Sequence, residues 1–286
     1  DGAIIPAFRL TTNGAVVLPH MYVAYIKPTS QFSDYKKVAG LDESIEESLS
    51  QKGKLLTVRV MSKPMRVEVE RPDADLIRLS DDWELFRSQP QNQYEYTFGA
   101  YFADKSLKIG VADLLDPNEC HSAIIGMSGS GKTQLAMSIL LTAGLNTSPE
   151  HLSMVVIDPK NLDFSPLAGL PHLAHTGIIA DLDTAANAVR SVVAEMDRRT
   201  AAGKQSVTQK RILLFIDELP DLLDQDRQTE GESLESALVR LLQKGRGVGI
   251  NVFVCAQQAK KEVVSTRVLE NMSWRMVGSV NTYYAS

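Results

Sequence analysis

Cysteine is scarce, with two in 286 residues, Cys120 and Cys255. That excludes a disulfide framework and a cysteine-based zinc site. Both thiols border apolar, strand-like runs, as buried thiols of a reducing compartment do. Positive charge is not in excess either: 30 Lys and Arg stand against 35 Asp and Glu, a formal net charge of −5. A small module that grips nucleic acid with an all-basic surface is thereby excluded, while a few local phosphate contacts are not. No apolar run approaches the ~18–20 residues that cross a bilayer. The opening residues, DGAIIPAFRL, lack the basic and apolar regions of a secretory leader. The chain starts on Asp1 and stops at Ser286, just past a strand-like run. We therefore expect a piece of a longer protein, whose membrane anchor or extra domains would lie outside it.

What is present is ordinary globular material, 44% hydrophobic and 23% charged, enough for one large domain with a smaller one. One stretch organises it, His121 to Leu135, reading HSAIIGMSGSGKTQL. Ala123-Ile124-Ile125 reads as a buried strand. Gly126, Gly129, Gly131, Lys132 and Thr133 then give the spacing G-x-x-x-x-G-K-[ST]. Leu135, Ala136, Ile139, Leu140 and Ala143 follow at helical spacing. Strand, glycine loop and helix in that order make a phosphate-binding loop. Its main-chain amides form an anion nest, and the helix start adds about half a positive charge. Gly126, Met127, Ser128, Gly129, Ser130, Gly131, Lys132, Thr133 and Gln134 are the expected nucleotide contacts. Lys132 would reach the β- and γ-phosphates of ATP, and the Thr133 hydroxyl would sit on Mg²⁺.

Around that loop the pattern is α/β. Residues 1–30 suggest short strands or an arm. Residues 31–80 read as a small α/β lobe, with a helix through Leu41, Ile45 and Leu49 and then two strands flanking Pro64. The polar stretch 81–97 reads as a linker. From 98 onward strands and helices alternate, so an open, mostly parallel sheet is expected. Its strands include 107–111, 152–157 (LSMVVI), 212–216 (ILLFI), 251–256 (NVFVCA) and a last run, 274–280. Helices are expected over 183–199, 232–244 and roughly 262–272.

In such a sheet the chemistry lies at the carboxyl ends of the strands. Asp217-Glu218 directly follows ILLFI. Asp217 suits the Mg²⁺ shell, and Glu218 suits activation of a water. Gln257 follows NVFVCA and can sense the γ-phosphate. Asp158-Pro159-Lys160 follows LSMVVI with a less determined role. Arg246, between a helix and a strand, reads better as a surface arginine at a helix end than as a finger reaching a neighbouring subunit.

Taken together, GMSGSGKTQL, VVIDPK, LPHL (170–173), AEMDRR (194–199), LLFIDELPDLL (213–223) and LLQKGRGVGINVFVCAQ (241–257) resemble the FtsK/SpoIIIE-type DNA translocase motor of the FtsK/HerA superfamily. The resemblance covers roughly 98–286, a motor domain cut short at its C-terminus, and more weakly the lobe within 1–97. It implies a RecA-like P-loop NTPase core, a cytoplasmic hexameric ring around double-stranded DNA, and movement driven by ATP hydrolysis. Lys132, Glu218, Arg246 and Gln257 would be catalytic, with Arg246 acting on the next subunit. Thr133 and Asp217 would hold the metal. Ala256-Gln257-Gln258-Ala259 departs from the family's Thr-Gln-Arg-Pro. DNA-contacting loops are expected at 160–175 or 200–211, where Lys204, Lys210 and Arg211 supply charge. The alternatives are a protein-secretion or conjugative coupling ATPase on the same fold, and a nucleotide-binding scaffold without turnover.

Overall fold

In a computed structural model, the described residues are 8–17, 21–28, 58–62, 65–70, 83–103, 106–160, 163–203, 209–226, 232–257 and 266–278. The chain divides into two compact units, residues 1–83 with 102–108, and residues 84–101 with 109–286. The first holds β1 (Phe8–Val17), β2 (Met21–Pro28), β3 (Val58–Ser62) and β4 (Met65–Glu70), in an antiparallel sheet ordered β1-β2-β4-β3. β3 and β4 are the two strands expected on either side of Pro64, paired from Val58–Val69 to Ser62–Met65. The helix expected through Leu41, Ile45 and Leu49 lies outside the described residues.

In the stretch expected as a linker, α1 (Trp83–Arg87) forms, followed by the ribbon of β5 (Glu95–Ala103) and β6 (Ser106–Asp113). Its polar residues are not simply solvated. The Asn146 side chain donates to the Asn92 and Glu95 carbonyls, and the Thr147 hydroxyl donates to the Gln93 carbonyl. These side chain-to-backbone bonds satisfy carbonyls that a linker would leave to water.

The main sheet is built from β7 (His121–Ile125), β8 (Leu152–Ile157), β9 (Leu173–Ile179), β10 (Arg211–Ile216), β11 (Ile250–Ala256) and β12 (Trp274–Val277). All six are parallel, in the order β12-β7-β11-β10-β8-β9. The helices between them are α2 (Lys132–Asn146), α3 (Leu182–Ala201), α4 (Leu219–Asp226), α5 (Leu234–Lys244) and α6 (Thr266–Glu270). The apolar runs are continuous because both faces of each strand are covered. Ala123, Ile125, Leu214, Ile216, Val252 and Val254 pack on Val189, Val193, Met196, Leu238, Leu241 and Leu242 of α3 and α5. Their neighbours Ile124, Leu213, Phe215 and Phe253 face Ala136, Ile139 and Leu140 of α2. The expected α/β core with a mostly parallel sheet is therefore present.

Of the two stretches expected to carry DNA-contacting loops, one holds a residue that needs correction, Arg211. Residues 165–169 form a short 3-10 turn and 173–179 are β9, with Phe164 and Leu167 fully buried beneath them. The stretch thus supplies an edge strand, β9, and the turn before it stays exposed at Ser165, Pro166, Ala168 and Gly169. Arg211 is 1% exposed, and its guanidinium donates to the Asn251 side chain at 2.8 and 3.0 Å and to the Leu114 carbonyl at 2.9 Å. It starts β10 and holds the amino end of the sheet together, out of reach of any DNA phosphate. Lys210 is exposed, and Lys204 lies outside the described residues.

Candidate functional site

Four neighbouring strands, β7, β11, β10 and β8, end side by side. Their ends are pinned by backbone bonds: Gly126 N–H to the Ala256 carbonyl at 3.1 Å and Asp217 N–H to the Ile157 carbonyl at 2.9 Å. Each end carries one of the polar groups expected there. A cleft of about 330 Å³ brings together Ser128, Gly129, Gly131, Lys132, Thr133, Gln134, Lys160, Asp163, Asp217, Glu218 and Gln257.

The loop from β7 into α2 owes its shape to its glycines. Gly129 and Gly131 sit at φ +80° and +88°, the left-handed region that a side chain disfavours. At Gly126 a Cβ would stand 2.5 Å from the Ser130 hydroxyl, which is buried beneath the loop. Gly126, Met127 and Ser130 thus build the loop rather than line the cleft, and the Met127 side chain is exposed. α2 starts on Lys132 with Gly131 as its cap, so no side chain takes up its first amides. Those amides face the cleft as anion donors. The Lys132 ammonium bridges the Gly126 and Met127 carbonyls at 2.6 and 3.0 Å, across the mouth of the same loop.

Opposite lie the acids. Asp217 and Glu218 are each 7% exposed. Glu218 has φ +55°, the sole positive φ of a non-glycine among the described residues. Such strain persists only where the surroundings enforce it, and it gathers at working sites. Burial pushes the Asp217 carboxyl up to about 6, aided by the nearby charges of Asp158 and Glu218 and opposed by Lys160. Around an ionised Asp217 negative charge thus outweighs the positive charge of Lys160, an imbalance that a hard divalent cation would relieve. The Thr133 hydroxyl and the Asp217 carboxylate, facing one cleft, suit Mg²⁺. Among the described residues no three His, Cys, Asp or Glu side chains group to hold a metal unaided. Mg²⁺ held by one or two protein oxygens takes the rest of its shell from phosphates and water.

Asp158, fully buried at the end of β8, accepts from the Lys160 and Phe164 amides. The Lys160 ammonium stands 3.5 Å from Glu218 Oε2. Sequence reasoning left this residue without a role; its signal was a cation two positions after a strand-end acid. Gln257 lines the cleft beside them.

Arg246 does not join this group. It lies exposed in the 3-10 turn Gly245–Val248, at the amino end of β11, whereas Gln257 follows the carboxyl end. Seven strand residues separate the two ends, about 20 Å at ~3.3 Å per residue. Its charge instead helps depress the His121 imidazole, mainly lowered by burial, to about 4 at the start of β7. The turn is braced from α3. Arg199, buried, donates to the Val248 carbonyl at 2.9 Å and to Glu195 at 2.7 Å. The AEMDRR segment, singled out in the sequence without a task, thus supports the turn that carries Arg246.

Among the described residues, no helix is long and apolar enough to cross a membrane. Residues 87–209 match the FtsK/SpoIIIE family. The DNA translocase FtsK of Lactiplantibacillus plantarum is 27% identical over 271 residues, covering 86% of this chain and 33% of that protein. The chain thus spans about a third of that relative's length. Among solved structures, the pCW3 conjugation coupling protein TcpA, as a monomer with ATPγS, superposes with a TM-score of 0.57 at 17% identity, over 96% of this chain and 78% of that one. The cytoplasmic domain of the Type VII secretion ATPase EccC from Thermomonospora curvata gives 0.54 at 21% identity, over 68% of this chain and 25% of that one. At those identities the two structures speak for the fold, that of P-loop ATPase motor domains. The match over residues 87–209, which takes in the glycine loop, makes this segment similar to the FtsK/SpoIIIE family.

Proposed function

We propose that the protein is an ATP-hydrolysing motor that moves double-stranded DNA, working as a homohexameric ring on the cytoplasmic side of the cell. One observation carries this reading: a glycine loop with free helix-start amides faces two buried acids across a single strand, in one cleft. The loop amides and Lys132 bind the β- and γ-phosphates of ATP. Thr133 and Asp217 hold Mg²⁺, which when bound neutralises charge on the phosphate oxygens. Glu218 takes a proton from the attacking water as its oxygen bonds to the γ-phosphorus. The bond to the β-γ bridging oxygen breaks, leaving ADP and phosphate. Gln257 orients that water. Arg246, too far from its own cleft, completes the site of the next subunit. The FtsK relatives support DNA as the cargo.

The test is ATP hydrolysis with and without duplex DNA, repeated with Glu218→Gln. Turnover that rises with DNA and falls by a factor of about 100 or more in the variant is the expected result. Turnover indifferent to DNA would point to a polypeptide cargo, and no turnover at all to a scaffold.

A further inference from the structure

We propose that Lys160 is a positioning residue of the hydrolytic site, its ammonium holding the Glu218 carboxylate at the cleft wall. This rests on the reading of the cleft as an ATP-hydrolysing site. Both side chains line that cleft, with Lys160 Nζ 3.5 Å from Glu218 Oε2. The Glu218 side chain is 10% exposed and that of Lys160 44%, so the lysine reaches in from the rim to a carboxylate that is already enclosed.

The backbone on each side is built for this meeting. Asp158, buried at the end of β8, accepts the amides of Lys160 at 3.2 Å and of Phe164 at 3.3 Å. That fixes the turn from which Lys160 projects. On β10 the left-handed Glu218 turns the chain sharply into α4, and its carbonyl accepts the Asp221 amide at 3.1 Å. Charge gives the pairing its purpose. Asp158, Asp163, Asp217 and Glu218 crowd the same strand ends, and Lys160 is the cation that opposes them at Asp217. Among the described residues lining the cleft the other cation is Lys132, whose ammonium donates to the Gly126 and Met127 carbonyls. Without Lys160, the Glu218 carboxylate would lose the ammonium 3.5 Å away that holds it at the cleft wall, and with it its place beside the attacking water. A base displaced by an ångström loses a large part of its effect.

The experiment measures steady-state hydrolysis of Mg·ATP on linear duplex DNA, together with equilibrium binding of Mg·ATP to each variant. Lys160→Met should lower kcat about 10–100-fold, with KM and affinity within about threefold of the wild type. Lys160→Arg, which keeps the charge, should recover most of the rate. Lys160→Met added to Glu218→Gln should slow the residual turnover no further, because the carboxylate it positions is gone. Thermal unfolding confirms that each variant folds, with Lys160→Gln replacing Lys160→Met if the latter does not. An unchanged kcat, a change in KM alone, or a full additional loss on Glu218→Gln overturns the proposal. A wild type that hydrolyses nothing overturns the proposed function instead, so the two failures are distinct.

Discussion

Asp217 shows what a working site costs the chain that carries it. Its folded carboxyl titrates near 6, against an ordinary 3.8. Below pH 3.8 it is protonated whether folded or unfolded, and it contributes nothing. As the pH rises from 3.8 to 6 the unfolded carboxyl ionises first, so stability falls; above pH 6 the whole penalty stands. Two units amount to roughly 3 kcal/mol. His121 acts in the opposite sense. Buried and neutral, it titrates near 4 rather than 6.5. Its contribution is therefore complete above pH 6.5 and is lost as the pH falls to 4. The two slopes offset one another between pH 4 and 6. Asp217→Asn should consequently melt higher than the wild type at pH 7.5 in nucleotide-free buffer, while losing Mg²⁺-dependent hydrolysis. It should also lose stability more steeply between pH 6.5 and 4. A melting temperature at or below that of the wild type at pH 7.5 would show that Asp217 is not strained by its surroundings.

Among strands and helices, legibility followed burial on two faces. Runs such as ILLFI and NVFVCA declared themselves as strands because both sides of the sheet are covered. The groups at their carboxyl ends were legible for the same reason, since a polar residue after such a run must sit at the sheet's rim. β9 escaped notice: LAHTGII is interrupted by His, Thr and Gly, and its pairing with β8 breaks register between Met154 and Val156. Arg211 was misread as a surface charge because nothing local marks a buried guanidinium. Its partners, Asn251 and Leu114, are 40 and 97 residues away. Arg211→Ala should therefore destabilise the fold by about 3 kcal/mol in chemical denaturation, since it strands buried acceptors. Stimulation by DNA, per folded molecule, should be unaltered. A selective loss of DNA response at full stability would restore the surface reading. Lys160 was named in sequence without a task, since only the fold places β8 beside β10.

At the largest scale, the telling arrangement is that Arg246 and Gln257 lie at opposite ends of β11. If Arg246 completes a neighbour's site, Arg246→Ala and Lys132→Ala proteins are each inactive alone for different reasons. Mixed together, they should regain a measurable fraction of wild-type hydrolysis. At some interfaces an intact glycine loop from the first protein would meet an intact arginine from the second. Absence of any recovery, with mixing shown by fluorescence exchange, would place the arginine's action elsewhere. β11 is also flanked on both sides, paired to β10 over residues 250–254 and to β7 over residues 252–256. A strand held on both flanks through its middle resists stretching, so under the proposed function it would act as a stiff rod between Gln257 at one tip and Arg246 at the other. A tilt accompanying phosphate release from one pocket would then reach the adjoining pocket of the proposed ring as a displacement of its arginine. In the proposed ring the order of firing would then be set by the rigidity of seven residues, without a separate signalling element.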